Sequence, residues 1–191
     1  MLIFKLVYWT AFIVEIIIRA PFQKSYQAST KTAQRTSRTE QILLTLLTVS
    51  TGLLPLIYSV TKWFNFANYS LPAWIGWLGV LILACALLVF ARAHADLKTN
   101  WSPSLEIFEG HTLITNGIYA HIRHPMYVTL WLAGIAQPLL IQNWIAGPIG
   151  LVCAALFYFL RVDAEEKMML ETFGDPYLEY MKKTGGIIPK F

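Results

Sequence analysis

Five long apolar stretches constrain the fold of this 191-residue chain more than any other feature. A helix needs about 20 predominantly apolar residues to cross a bilayer, and each stretch approaches that length. They cover residues 2–19, 42–60 and 73–93, a run that begins near Tyr127 and is interrupted by Pro138, and residues 144–160. Only 14% of the residues are charged, whereas a typical soluble domain has about 25%. The pattern predicts an all-α integral membrane protein with about five transmembrane helices.

The basic residues predict the orientation of these helices. Segments 19–40, 92–125 and 161–190 hold five, three and five of the fifteen Lys and Arg residues, and only Lys5 and Lys62 fall on the other side. Cytoplasmic loops of membrane proteins carry an excess of such residues. Basic segments thus alternate with segments that have few basic residues, and this alternation predicts an N-terminus outside and a cytoplasmic C-terminal tail. We expect the first stretch to be a retained span, since no small-residue cleavage site follows it.

The chain is predicted to form a single membrane domain, 1–191, in two parts. Residues 1–93 contain the first three spans and a basic cytoplasmic loop, and residues 94–191 contain spans four and five with two patterned cytoplasmic segments. The tail from residue 161 holds six of the eleven acidic residues, and its apolar positions suit an amphipathic helix. The letters "FGDPY" predict a Gly-Asp-Pro turn that interrupts this helix.

Several classes of chemistry are disfavoured by the residue types present. Three histidines are candidate metal ligands (His111, His121 and His124), but no cysteine lies near them, so we expect no metal site. Both cysteines fall inside apolar runs, and neither G-x-S-x-G nor H-E-x-x-H occurs. In a membrane protein the net charge of +4 reflects topology rather than affinity for nucleic acid, and we expect no nucleic-acid partner.

A cofactor that carries charges of both signs, such as S-adenosylmethionine, would find suitable side chains in the cytoplasmic segments. Histidine suits its carboxylate, an acidic residue suits its ribose hydroxyls or ammonium, and tyrosine faces suit the sulfonium through cation–π contact. The side chains of these types are His111, Tyr119, His124, Tyr127, Glu165 and Glu166. The composition permits such a site without identifying it, because no glycine-rich nucleotide motif is present.

Arg161 and Glu165 lie four residues apart where the fifth span leaves the membrane. That spacing places both side chains on one helix face. Two interpretations remain open at this point. The residues could form a plain ion pair with a snorkelling arginine, or they could belong to a functional site.

Two segments of the sequence resemble a known family. Residues 110–127 are "GHTLITNGIYAHIRHPMY" and residues 161–185 are "RVDAEEKMMLETFGDPYLEYMKKTG". They follow the pattern G-H-x-L-x-x-x-G-x-Y-x-x-x-R-H-P-x-Y, then a helix with Glu-Glu, then F-G-x-x-Y-x-x-Y. The chain is similar to the isoprenylcysteine carboxyl methyltransferase family and, more broadly, to the small membrane methyltransferases that include phospholipid methyltransferases. By motif the resemblance covers residues 90–191.

The resemblance implies that S-adenosylmethionine binds between the segment before span four and the C-terminal helix. The implied cofactor contacts are His111, Thr112, Leu113, Ile114, Tyr119, His124, Pro125, Met126, Tyr127 and Glu165. Arg161 is implied to bind the acceptor and to act in catalysis. The implied acceptor is a prenylated cysteine, whose lipid tail enters sideways from the bilayer. The implied site faces the cytoplasm, at the cytoplasmic membrane of a prokaryote or the endoplasmic reticulum of a eukaryote.

Two kinds of methyl acceptor are considered. The first is a carboxylate, and the alternative is a lipid amine or another small lipophilic group. A carboxylate is already ionised at neutral pH and needs no general base. An amine must lose a proton, which His124 or Glu166 could accept. A scaffold that has lost activity is a third possibility, and the near-complete set of motif residues argues against it.

The sequence departs from the family pattern at two positions. Many relatives carry an arginine in the final "TGR", where this chain has Gly186, and small residues often follow the "HPxY" element, where this chain has Val128. Both departures bear on the acceptor more than on the cofactor. For Arg123 we expect a structural role, paired with a tail carboxylate such as Glu166 or with a lipid phosphate.

Overall fold

The computed structural model describes residues 2–28, 31–34, 37–104, 106–108 and 111–190. Arg35 of the basic loop and Gly110 of the first motif lie outside these residues. The helices are α1 Leu2–Ala28, α2 Arg38–Thr48, α3 Leu54–Val60, α4 Ala73–Leu97, α5 Pro125–Leu140, α6 Ile149–Phe173 and α7 Asp175–Lys183. Two short strands, β1 Lys31–Gln34 and β2 Glu106–Phe108, pair antiparallel. Helices therefore dominate as predicted, and the small sheet is a departure from an all-α fold.

The stretch from α2 to α3 is one continuous helical path with a wider turn in its middle. Ser37 caps the start of α2, its hydroxyl accepting a hydrogen bond from the N–H of Glu40 at 3.1 Å. A π-helical turn, Val49–Leu53, then leads into α3, where Pro55 lies in the first turn. Proline lacks the N–H that would bond the preceding turn, and a wider turn accommodates that loss.

Two helical stretches within the described ranges have the length and apolar composition to cross a membrane. They are Arg38–Val60, with 23 residues, and Ala73–Asn100, with 28 residues, and α5 is a shorter apolar helix. The coarse prediction of an apolar, helical chain is thereby confirmed. The count of five spans and their orientation stay predictions.

Helices α5 and α6 form the expected hairpin, with different boundaries from those predicted. Pro138 does not interrupt α5, which continues to Leu140. Helix α6 begins at Ile149 rather than at residue 144, because Asn143 builds a turn between the helices. Its side-chain oxygen accepts from the N–H groups of residues 145 and 146 at 3.0 Å, and its amide donates to the carbonyl of Phe64 at 2.7 Å.

Helix α5 lies at the centre of the packing, between α4 and α6. Close approach depends on small residues, since a Cβ at Gly79 would lie 2.8 Å from Leu139 Cβ, and one at Gly134 would lie 2.9 Å from Leu151 Cα. Helix α1 packs on α4, and α2 packs on α6. The ends of α4, α5 and α6 that carry the sequence motifs are thereby brought together.

The tail continues α6 directly and then turns back. Helix α6 runs unbroken from its apolar part to Phe173 and ends at Gly174, which has φ 58°. Glycine adopts this left-handed conformation without the strain that a side chain would add. Helix α7 starts at Asp175, with Pro176 in its first turn. The predicted Gly-Asp-Pro turn is confirmed.

Candidate functional site

A cavity of about 740 Å³ lies between the helices and extends to the end where the motifs meet. Its walls come from α1, α2, α4, α5 and α6, together with the segments around residues 100–104 and 111–119. All of the residues predicted to form the site line this one cavity: His111, Thr112, Leu113, Ile114, Tyr119, His124, Pro125, Met126, Tyr127, Arg161 and Glu165. The structure thus brings both motifs to one place, and the role of each residue there stays a prediction.

Helix α6 contributes a stripe that changes character along the cavity. Gly150, Ala154 and Phe157 line its apolar part, and Arg161 and Glu165 follow on the same face. Residues at these spacings share one side of a helix. A ligand in the cavity would therefore contact hydrocarbon along much of its length and charge at one end.

The turn that carries Tyr119 is held by an aspartate of α4. The N–H of Ile118 donates to Asp96 Oδ2 at 2.8 Å. Gly117 precedes it with φ 60°, and a Cβ there would overlap the Asp96 carboxylate. Tyr180 of α7 donates its hydroxyl to the carbonyl of Tyr119 at 2.6 Å. Because the turn is fixed from both sides, the buried Tyr119 ring has a defined position in the cavity wall.

His124 lies at the start of α5 and contacts two acidic residues of α6, Glu165 and Glu166. It is 5% exposed. Its Nε2 donates to Glu166 Oε1 at 3.0 Å, and its Nδ1 lies 3.6 Å from Glu165 Oε1. Pro125, the first residue of α5, places His124 outside the helix, with ψ 58°. The ring can therefore face α6 instead of following the helical path of α5.

These contacts set the charges of the cluster. Burial lowers the pKa of His124, but the carboxylates of Glu165 and Glu166 outweigh it and raise that pKa to about 9. Burial raises the pKa of Glu165, but hydrogen bonding to His124, the nearby Arg161 cation and the Tyr127 hydroxyl lower it to about 2. Tyr127 donates to Glu165 Oε2 at 2.7 Å. At neutral pH the histidine is cationic and Glu165 is a carboxylate.

Arg161 lies between two carboxylates, one of which sequence reasoning missed. Its Nε is 3.8 Å from Glu165 Oε2 and 3.5 Å from Glu40 Oε1. Its Nη1 donates to the carbonyl of Pro103 at 3.4 Å. Glu40 belongs to α2, far away in sequence, and its place after Ser37 in an S-x-x-E pattern signals only a helix start.

Arg123 holds the tail against the start of α5. Its Nη2 donates to Glu166 Oε1 at 2.9 Å, and its Nη1 donates to the carbonyls of Met181 and Thr184 at 3.2 and 2.5 Å. The backbone N–H of Arg123 donates to the carbonyl of Gly185 at 2.8 Å. The predicted pairing with Glu166 is confirmed. Arg123 and its partners form what we call the tail clasp.

The segment that starts at His111 forms the outer wall of the cavity. The N–H of Thr112 donates to Asn100 Oδ1 at 2.9 Å, which ties the segment to the end of α4. The His111 ring lies 5.9 Å from the Phe173 ring. Burial lowers the pKa of His111, so its ring is neutral at pH 7 and offers hydrogen bonds without charge.

Fold and site together define a small, predominantly helical protein with membrane-spanning character and a charged chamber at one end of its helices. Residues 77–171 match the model of the isoprenylcysteine carboxyl methyltransferase (ICMT) family. The resemblance to this family that the two motifs predicted is thereby confirmed for this segment.

Curated relatives agree with this resemblance, and a solved structure shares the fold. The chain is 30% identical over 126 residues to protein-S-isoprenylcysteine O-methyltransferase of Schizosaccharomyces pombe, covering 66% of this chain and 52% of the relative. It is 30% identical over 142 residues to the protein of the same name from Tribolium castaneum, covering 70% and 50%. The chain spans about half the length of these relatives. The structure of the eukaryotic intramembrane Ras methyltransferase ICMT shares the fold, with a TM-score of 0.55, 20% identity, and coverage of 96% of this chain and 62% of that one.

Proposed function

We propose that the chain is an S-adenosylmethionine-dependent methyltransferase that esterifies the C-terminal carboxylate of a prenylated cysteine at the cytoplasmic surface of a membrane. The observation that carries the proposal is the α6 stripe, in which Gly150, Ala154 and Phe157 lead along one cavity wall to Arg161 and Glu165. An acceptor with a lipid tail and an anionic head matches this order of apolar and charged side chains. The names of the relatives support the same acceptor.

The side chains around the cavity fit the proposed methyl donor. Glu165 is ionised and suits a ribose hydroxyl or an ammonium group, and the neutral His111 suits a carboxylate. Tyr119 and Tyr127 present rings that suit a sulfonium cation. The volume of the cavity falls within the range of about 300–1,000 Å³ that is usual for small-molecule sites. When bound, S-adenosylmethionine supplies a methyl group on a sulfonium sulfur, and the acceptor oxygen takes that group as the carbon–sulfur bond breaks and its electron pair stays on sulfur.

The charges of the chain balance one another around the proposed reaction centre. The cations are Arg123, His124 and Arg161, and the carboxylates are Glu40, Glu165 and Glu166. Among these six described side chains the charges cancel, so the cluster repels neither a cationic donor nor an anionic acceptor through its own net charge. Arg161 orients the acceptor. The apolar walls exclude water, and a carboxylate that has lost its hydration shell is more reactive.

The protonation states favour a carboxylate acceptor over a lipid amine. An ammonium acceptor must first lose a proton. His124 is protonated below about pH 9, so it cannot accept that proton at neutral pH. Contacts with His124 and Arg123 lower the pKa of Glu166, which makes it a weak base. A carboxylate needs neither residue as a base.

The proposed topology has five spans, an N-terminus outside and a cytoplasmic site. Helices α1, α2–α3, α4, α5 and the first part of α6 supply the spans. The alternation of basic segments supports the orientation. The lipid tail of the acceptor would enter from the bilayer into the cavity, and the cofactor would arrive from the cytoplasm.

The test offers a farnesylated cysteine and a phosphatidylethanolamine side by side to the full chain in detergent, with a labelled methyl donor. We expect a base-labile methyl ester on the cysteine analogue and no labelled lipid. Labelled lipid without the ester would refute the carboxylate assignment. The absence of measurable S-adenosylmethionine binding would refute an enzyme of this class.

Two variants test the roles of individual residues. Glu165→Ala should weaken cofactor binding, since it removes the partner of Tyr127 and His124. Arg161→Ala should leave the cofactor Kd unchanged and reduce turnover. Glu179→Gln, at an exposed position of α7, is the control and should match the wild type in both measurements. Equal loss of cofactor binding in both site variants would contradict this division of roles.

A further inference from the structure

Glu40 is a buried carboxylate that contacts Arg161, the residue proposed to bind the acceptor. The residue is 4% exposed and lies in the first turn of α2. Its backbone N–H bonds to Ser37, and its side chain forms an ion pair with Arg161 at 3.5 Å. Arg161 lines the cavity, whereas Glu40 is not among the described residues that line it. A ligand in the cavity would therefore contact Arg161 without contacting Glu40.

The remaining contacts of Arg161 define which edge of its guanidinium is available. The Nε faces Glu40 and Glu165, and the Nη1 bonds to the carbonyl of Pro103. Nη2 makes no hydrogen bond to any residue that the structure describes. Arg161 itself lines the cavity, so Nη2 is the nitrogen that we expect a ligand there to contact. Holding a long side chain in this way reduces the entropy that it would lose on binding a ligand.

We propose that Glu40 is a positioning residue that holds Arg161 and offsets part of its charge, so that an acceptor carboxylate is oriented without being bound too tightly. This inference rests on the proposed function. The acceptor oxygen carries full negative charge before methyl transfer and loses it as the carbon–oxygen bond forms. An unopposed Arg161 would therefore stabilise the bound acceptor more than the transition state. Glu40 reduces this difference by pairing with the same guanidinium.

The ion pair between Glu40 and Arg161 also favours release of the product. The methyl ester is neutral and no longer binds a guanidinium as an anion does. Arg161 then keeps Glu40, the nearer of its two carboxylate partners, so the buried cation stays paired when the ester departs. Glu40 thus acts on substrate binding and on product release through Arg161, without touching the reacting atoms.

The test replaces Glu40 by glutamine in the full chain. Glu40→Gln keeps the shape of the side chain and the backbone bond to Ser37, so α2 retains its cap. We expect the Kd of a farnesylated cysteine, measured without a methyl donor, to fall about tenfold, because Arg161 loses a competing carboxylate. The KM for the acceptor and kcat should fall together, while kcat/KM changes little. A purely structural role would lower kcat/KM and leave the KM unchanged or raised.

Matched variants make the result specific. Glu40→Asp keeps the charge but lengthens the pair, and its KM and kcat should lie between those of the wild type and Glu40→Gln. It also tests the direction of the effect if the glutamine variant does not fold. Glu15→Gln removes a carboxylate from the cavity wall whose partner is Arg19, and it should not lower KM and kcat together.

The outcomes separate this inference from the proposed function. A wild-type chain that makes no methyl ester overturns the proposed function itself. A wild-type chain that makes the ester, with a Glu40→Gln variant whose acceptor Kd is unchanged or weaker, overturns only the role of Glu40. A tighter Kd with a lower kcat supports it.

Discussion

Gly185 of the tail clasp and its neighbour Gly186 should respond in opposite ways to replacement by alanine. A Cβ at Gly185 would overlap the carbonyl oxygen of Ile188, whereas a Cβ at Gly186 would have Arg123 Nη2 as its nearest neighbour, at 3.9 Å. Neither glycine has a left-handed backbone. Gly185→Ala must therefore displace backbone, and Gly186→Ala need not.

The hydrogen bonds at this point set the magnitude. Displacing Gly185 removes the bond from the Arg123 N–H, at 2.8 Å, and those that the N–H groups of Gly185 and Lys190 donate to the His121 carbonyl, each at 3.3 Å. At about 1 kcal/mol each, their loss lowers the free energy of unfolding by about 3 kcal/mol. Gly186→Ala should raise it by about 0.4–1 kcal/mol, because alanine restricts the unfolded chain.

Thermal unfolding of both variants in the same detergent measures the difference. For a chain of this size, 1 kcal/mol corresponds to about 2–4 °C in Tm, so Gly185→Ala should unfold roughly 6–12 °C below the wild type. Gly186→Ala should unfold at or slightly above it. Equal Tm values for the two variants would refute the reasoning, because only the environment of the added methyl group differs.

Two further predictions concern the charged cluster. The pKa of His124 is raised to about 9, so its ion pairs stabilise the fold fully below about pH 6.5 and lose that effect as the pH rises through about 9. These ion pairs contribute about 3 kcal/mol to the free energy of unfolding. The Tm measured from pH 6 to 10 should therefore fall more steeply for the wild type than for His124→Gln. Parallel curves for the two proteins would contradict this prediction. Tyr127→Phe removes the hydrogen bond to Glu165 and should raise the Kd for S-adenosylmethionine about tenfold. Tyr158→Phe, whose ring packs on Tyr127 at 5.3 Å, is the control and should bind like the wild type.

Local sequence patterns predicted the parts of the site that lie close together along the chain. The spacing of Arg161 and Glu165 placed both on one face of α6, and the structure has both in the cavity wall. A short-range rule, helical periodicity, carried enough information for this prediction.

Contacts between distant helices were not predictable in this way. Glu40 and Asp96 hold Arg161 and the Tyr119 turn, yet each looks like an ordinary helix-end acid in the sequence. Periodicity indicates which face of a helix is buried but not which helix covers it. The start of α6 was misplaced for a related reason, since Asn143 ends the apolar run with long-range hydrogen bonds that hydropathy does not register.

Because α6 is continuous, it sets a fixed distance between its apolar part and its charged end. Gly150 and Glu165 lie on the same uninterrupted helix, so they are separated by about 22 Å at 1.5 Å per residue. Neither end can shift in depth without the other. In a thinner bilayer the charged end of α6 would lie farther outside the hydrocarbon layer. The head group of a lipid-anchored acceptor would then have to move farther out of the bilayer to reach Arg161. Turnover of lipid-tailed acceptors should therefore depend on the acyl-chain length of the surrounding lipids, whereas cofactor affinity should not.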